Sequence, residues 1–130
     1  MDIYGVYFSP TGNTEKAVKA MAGALTKTFS VYDCTCLREE SGLSKYVSKD
    51  AEICFTAEDF VIIGAPVYAG RIPEVSMQRL EKFKGNQTPC ILVASYGNRH
   101  YDDALLEIKH MAERNGFLVK GAAAVIGRHT

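Results

Sequence analysis

Two short apolar runs constrain the fold of this chain more than any other feature. Residues 60–65 (FVIIGA) and 90–95 (CILVAS) are continuously apolar up to the final Ser95. A strand with one face in water alternates apolar and polar side chains, whereas a strand buried on both faces has an unbroken apolar run. The two runs therefore predict a parallel β-sheet that is covered by helices on both faces.

The rest of the chain predicts the remaining strands and helices. Apolar residues at helical spacing indicate three helices, and weaker patterns indicate the outer strands and one or two further short helices. These elements are a strand at 3–8, a helix at 14–26, a weak edge strand at 29–32, one or two short helices within 37–58, a helix at 74–83, a helix at 102–115 and a last strand at 117–126 with a break at Gly121.

Five strands and about four helices predict a single doubly wound α/β domain over residues 1–130, with strand order 2-1-3-4-5. Right-handed crossovers would place the helix after strand 1 on one face and the later helices on the other. A helix after strand 5 would complete the first face, and the sequence ends at Thr130 directly after that strand. We therefore expect a domain that lacks its last helix. It would be cut from a longer chain, or its open sheet face would be covered by a following domain or by a second copy in a homodimer.

Charge and hydropathy exclude several classes of protein. Fifteen Lys and Arg balance fifteen Asp and Glu, which argues against a dedicated nucleic-acid binder. No apolar run approaches the roughly 18 residues of a membrane span, and the start of the sequence lacks a signal-peptide pattern. We therefore expect a cytoplasmic protein without a membrane partner.

Four cysteines, at 34, 36, 54 and 90, have neither the spacing of a zinc site nor that of a disulfide framework. Cys34 and Cys36 would share one face of a strand, which leaves a redox or metal pair open. Ordinary reduced thiols are the favoured interpretation, because a third and a fourth metal ligand are missing.

The loop after the first strand has the composition of an anion site. It contains Ser9, Pro10, Thr11, Gly12, Asn13 and Thr14 and leads into a helix. Backbone N–H groups at a helix N-terminus, together with hydroxyl groups and a glycine, can hold a phosphate. The Lys of a nucleoside-triphosphate loop is absent. A plain helix cap is the alternative interpretation.

The loops after the two apolar runs each place a tyrosine beside glycines. Residues 64–73 read GAPVYAGRIP, and residues 95–101 read SYGNRHY. The carboxyl ends of neighbouring parallel strands meet at one edge of a sheet. The two loops could therefore clasp a flat ring there, with backbone groups at its polar edge. The alternative is two turns whose tyrosines pack against each other.

The motifs SPTGNTEKA, GAPVYAGRIP and SYGNR, with YDDAL shortly after the last of them, resemble those of the flavodoxin-like family. They are most similar to the flavodoxin-type domain of bacterial flavodoxin–ferredoxin fusion proteins, over essentially the whole chain. The resemblance implies an FMN cofactor and an electron-transfer domain that cycles through flavin semiquinone and hydroquinone. It also implies a redox partner protein or an iron–sulfur domain as the electron partner.

The resemblance also implies roles for the residues of the three loops. The phosphate would be bound by Ser9, Pro10, Thr11, Gly12, Asn13 and Thr14. One side of the flavin ring would meet Pro66, Val67, Tyr68, Ala69 and Gly70, with Ala69–Gly70 as the peptide that flips on one-electron reduction. The other side would meet Ser95, Tyr96, Gly97 and Asn98, with Arg99 and Tyr101 nearby. No catalytic residue and no metal ligand is implied.

Two alternatives remain open beside the electron carrier. One is an FMN-dependent NAD(P)H:quinone or azo-compound reductase, although the compact loops leave little room for a substrate. The other is a binding module of the same fold without flavin.

The neutral chain, with Arg71, Arg99 and His100 on the ring loops, also departs from the acidic free flavodoxins. Positive charge there would favour an anionic reduced flavin and a less negative potential.

Overall fold

The structure is a computed structural model that describes residues 2–38, 46–48, 52–67, 72–96 and 104–126. Its strands and helices follow one another along the chain as β1 (Asp2–Tyr7), α1 (Asn13–Leu25), β2 (Ser30–Arg38), β3 (Tyr46–Ser48), β4 (Ile53–Cys54), β5 (Asp59–Val67), α2 (Glu74–Leu80), β6 (Phe83–Lys84), β7 (Thr88–Tyr96), α3 (Ala104–Arg114) and β8 (Phe117–Ile126).

Six of these strands form one parallel sheet in the order β3-β2-β1-β5-β7-β8. Without β3, this is the predicted order of five strands, and the prediction of a doubly wound α/β fold is confirmed. The prediction that β2 forms the edge is wrong, because β3 pairs along its outer side. Strands β4 and β6 form a separate parallel pair.

The segment at 37–58 differs from its prediction. We expected one or two short helices there, but its described part contains the end of β2, all of β3 and all of β4. The polar composition suggested surface helices, whereas pairing with distant strands decides the outcome. Ile53 pairs with Phe83, and the Phe55 backbone N–H donates to the Lys84 carbonyl at 2.8 Å.

The last strand is continuous, so the expected break at Gly121 is wrong. The register with β7 moves from Cys90 opposite Val119 to Ile91 opposite Gly121. Lys120 is the extra residue, which makes the irregularity a β-bulge within one strand rather than a gap between two.

The two faces of the sheet carry different helices, as right-handed crossovers require. Helix α1 buries Val18 and Ala22 in a cluster with Tyr7, Ile62 and Val93. Helices α2 and α3 pack on the opposite face, where their buried side chains join those of β1, β5 and β7. In the described part of the chain, α1 is the only helix on its face.

Candidate functional site

The candidate site lies where the chain changes the direction in which it adds strands to the sheet. From β1 the chain moves outward to β2 and β3, and then returns to the other side of β1 to form β5, β7 and β8. The crevice beyond the carboxyl ends of β1 and β5 is therefore a topological switch point, which is where open α/β sheets bind ligands. The loop that joins β1 to α1 begins at this crevice.

Gly12 sets the geometry of the loop between β1 and α1. Its φ is +87°, in the left-handed region that disfavours residues with a side chain. It precedes the first residue of α1, and its carbonyl accepts the Lys16 N–H at 3.1 Å. A Cβ atom built on Gly12 has nothing within 4 Å, so open space lies beside the loop here.

Ser9 ties the loop to the helix. Its Oγ accepts the backbone N–H of Glu15 at 2.9 Å, which satisfies one of the N–H groups that the first turn of a helix leaves open. Its own backbone N–H donates to Thr35 Oγ1 in β2 at 2.7 Å. Ser9 therefore acts first as a connector between the loop, α1 and β2.

The next four backbone N–H groups along the chain have no partner among the described residues and are open to a ligand there. For Thr11, Gly12, Asn13 and Thr14, no acceptor of the backbone N–H lies among the residues that the structure describes. These groups lie at the positive end of the α1 dipole. Those of Gly12, Asn13 and Thr14 belong to the four that the start of any α-helix leaves without an intrahelical acceptor, and an anion at this position would satisfy several of them at once.

A carboxylate lies close to this candidate anion site, and its negative charge is offset by a neighbouring lysine. Glu15, in the first turn of α1, accepts a hydrogen bond from the Tyr7 hydroxyl at 3.0 Å and pairs with Lys19 at 2.6 Å. The ammonium of Lys19 offsets the negative charge that would otherwise repel an anion at the helix start.

Thr14 and Ser95 join the first and the third loop. Their hydroxyl oxygens lie 2.5 Å apart in a buried hydrogen bond. Thr14 is 1% exposed and Ser95 is 4% exposed. Each hydroxyl therefore has the other as a partner, and the pair holds the start of α1 against the end of β7.

The remaining described residues of the predicted site lie at the ends of β5 and β7. Pro66 is opposite Ser95, and Val67 is opposite Tyr96. Val67 and Tyr96 are buried in the cluster on the α2 and α3 face. The predicted residues Tyr68, Ala69, Gly70, Gly97, Asn98, Arg99 and Tyr101 lie outside the described residues.

Gly64 also belongs to the site, although it was not among the predicted site residues. A Cβ atom at this position would lie 2.5 Å from Val18 Cγ2 and 2.7 Å from Thr14 Cγ2. Helix α1 therefore packs directly on the backbone of β5, and Thr14 reaches Ser95 across it. The signal was present in the sequence, because a glycine inside a buried strand often marks a close approach of another element.

Burial keeps the thiols of two cysteines in their protonated, unreactive form. Burial, and then the nearby Asp33 carboxylate, raise the pKa of the Cys34 thiol to about 12. Burial, and then Glu113, raise the pKa of Cys90 to about 12. The Cys34 thiol donates to the Tyr7 carbonyl at 3.2 Å. Both are protonated thiols at neutral pH, as the reduced-thiol interpretation expects, whereas the Cys36 side chain is not among the described ones.

Alkylation of the native protein is expected to separate the cysteines by rate. At about pH 8, iodoacetamide should modify the exposed Cys54 quickly and leave Cys34 and Cys90 protected, because the thiolate is the reacting form and both buried pKa values lie far above this pH. Peptide mass spectrometry over time measures the rates, and denatured protein is the control. Equal rates for Cys34 and Cys54 in folded protein would contradict the prediction.

The described part of the chain shows neither a metal site nor a membrane span. Over these ranges, no three side chains of His, Cys, Asp or Glu are grouped so that they could hold a metal ion. None of the helices in the described ranges is long and apolar enough to cross a membrane.

Solved structures share this architecture. A putative flavoprotein from Bacteroides uniformis superposes with a TM-score of 0.65 at 16% identity, over 98% of this chain and 92% of that one. A flavodoxin from the domain Archaea gives a TM-score of 0.61 at 15% identity, over 100% of this chain and 86% of that one. The chain has the flavodoxin-like fold.

A third solved structure has the same fold, and two further comparisons find no match. A flavoprotein in complex with FMN from Lactobacillus acidophilus matches the flavodoxin-like fold of this chain with a TM-score of 0.58 at 12% identity, over 95% of this chain and 92% of that one. No protein-family model and no curated protein sequence matches the chain. At these identities, the similarity to solved structures shows the fold alone.

Proposed function

We propose that this chain is an FMN-binding electron-transfer domain. The observation that carries the proposal is the row of four backbone N–H groups at Thr11–Thr14 without a protein acceptor among the described residues, at the switch point of the sheet. A phosphate monoester is the ligand that such a row suits best, because its oxygens can accept several N–H groups together.

The residues present fit FMN. The open space beside Gly12 leaves room for a phosphate against the loop backbone, and the Thr11 side chain is exposed at its edge. The flavin ring would then lie across the ends of β5 and β7, with the residues of 66–70 and 95–101 as its walls. Bound FMN would supply one-electron and two-electron redox chemistry, while this chain binds it, orients it and shields it from water.

The comparisons support the same cofactor. The structure from Lactobacillus acidophilus was solved in complex with FMN, and the archaeal one is a flavodoxin. By the resemblance of its three loops, we propose that this chain exchanges electrons with a redox protein or an iron–sulfur domain. We propose a second copy of the chain as the partner that packs on the part of the α1 face that no helix of the described ranges covers.

The phosphate assignment is tested by substituting Thr11. Thr11→Ala is expected to weaken FMN binding about 10-fold and to change riboflavin binding less than about 2-fold, because the lost hydroxyl serves the phosphate. Quenching of flavin fluorescence by the flavin-free protein measures both affinities. Thr26→Ala, at the other end of α1, is the matched control and should change neither.

Three outcomes would contradict parts of this proposal. Equal losses for FMN and riboflavin in Thr11→Ala would remove Thr11 from the phosphate site. A folded wild-type protein that quenches neither flavin would favour the binding module without flavin. In FMN-loaded protein, rapid consumption of NAD(P)H with a quinone would favour the reductase over the electron carrier.

A further inference from the structure

Arg79 connects three elements next to the phosphate loop. It lies on α2, and its guanidinium donates to the backbone carbonyls of Cys34, at 3.3 Å, and of Thr35. Its Cζ also lies 5.4 Å from the centre of the Phe8 ring, over the residue that follows β1. Both hydrogen bonds come from Nη1, and a guanidinium suits this position because one end can serve the two carbonyls while its planar face stacks on the ring.

A continuous hydrogen-bond chain leads from Arg79 to the start of α1. Arg79 holds the carbonyl of Thr35, and Thr35 Oγ1 accepts the Ser9 backbone N–H at 2.7 Å. Ser9 Oγ then accepts the Glu15 backbone N–H at 2.9 Å. Thr35 is further oriented by its own N–H, which donates to Asp33 Oδ1 at 2.9 Å. β2 thereby holds the loop at Ser9, and Ser9 in turn ties the loop to the first turn of α1.

We propose that Arg79, acting through Thr35, is a positioning residue that holds the Ser9–Thr14 loop in the conformation that receives the phosphate. The inference rests on the proposed function, and it adds two residues that neither the loop motifs nor the fold identifies. It differs from a general attraction of the cation for an anion. A lysine would keep the charge but lose the planar guanidinium, and with it the fixed direction of the Nη1 donor and the stacking on Phe8.

The test compares Arg79→Lys, Arg79→Gln and Thr35→Val with the wild type in flavin titrations. Each is expected to weaken FMN binding about 10-fold and riboflavin binding less than about 2-fold. Arg79→Lys combined with Thr35→Val should lose no more than the larger single loss, because both act in one chain of contacts. Matched controls are Arg114→Lys, on α3 beside Glu81, and Thr26→Val, and both should leave the two affinities unchanged.

A second readout does not require flavin. Hydrogen exchange at the Ser9 and Glu15 amides of the flavin-free protein should accelerate in Arg79→Lys and Thr35→Val, and should stay unchanged in Arg114→Lys. Slow exchange in all variants would overturn the inference, even if the wild type bound no flavin. A wild type without preference for FMN over riboflavin would instead count against the proposed function.

Three further results bear on the mechanism. A full FMN affinity in Arg79→Lys and a reduced one in Arg79→Gln would show attraction by charge and overturn the positioning role. A lower melting temperature with an unchanged ratio of FMN to riboflavin affinity would reduce Arg79 to a structural contact, which also overturns it. A change of about 5- to 10-fold in that ratio, with faster exchange at Ser9, would support it.

Discussion

Gly64→Ala is expected to destabilise the domain by about 3 kcal/mol and to abolish FMN binding. The new Cβ would lie 2.5 Å from Val18 Cγ2 and 2.7 Å from Thr14 Cγ2. Both residues are β-branched and buried in α1, so neither side chain can rotate away. Helix α1 must therefore move off the sheet, and its first turn would carry the phosphate loop with it. Urea unfolding and flavin titration measure the two effects.

A matched glycine provides the control. Gly121→Ala, in β8, places a Cβ atom that meets nothing within 4 Å, so its effect on the free energy of unfolding should stay within about 0.5 kcal/mol. Val18→Ala should cost less in the Gly64→Ala background than in the wild type, because it removes the atom nearest the new Cβ. Equal costs in both backgrounds would show that the clash with Val18 is not the reason why Gly64→Ala is destabilising.

Thr14→Val is expected to lower the free energy of unfolding by about 2 kcal/mol. Valine has nearly the shape of threonine, so the loss comes from the Ser95 hydroxyl, which stays buried at 4% exposure without its partner at 2.5 Å. Chemical denaturation measures the change. The same variant should also weaken FMN binding, since the pair holds the start of α1 against β7.

The double variant separates this hydrogen bond from packing. Adding Ser95→Ala to Thr14→Val removes the second hydroxyl, and it should recover part of the stability, because no unpaired group is then buried. Thr14→Ser keeps the hydroxyl and should cost less than Thr14→Val. If the two single losses simply added in the double variant, the hydroxyl pair would contribute nothing of its own.

The central strands were predictable because their signals are local. Residues 60–65 and 90–95 form buried strands that the structure extends to Asp59–Val67 and Thr88–Tyr96. Helix α1 was expected at 14–26 and is found at Asn13–Leu25. A continuous apolar run or a helical stripe follows from burial of the segment itself, so it can be read without knowing the partner.

The elements at 37–58 were not predictable in the same way. Residues 46–48 and 53–54 are strands too short to have a period of their own, and they form because β2 and β6 offer backbone groups to them. Pairing of this kind depends on the tertiary arrangement and overrides a weak local preference for helix.

The sequence alone determined the parallel sheet, the order of its five main strands and the edge of the sheet at which the three strands before the loops end. These follow from patterns within each segment and from the handedness of the connections. Only the tertiary structure decided how the loop is held. Thr14 meets Ser95 at a separation of 81 residues, and Arg79 meets Thr35 at 44. A hydrogen bond between distant residues leaves no periodic pattern in either segment, so it becomes visible only when the chain has folded.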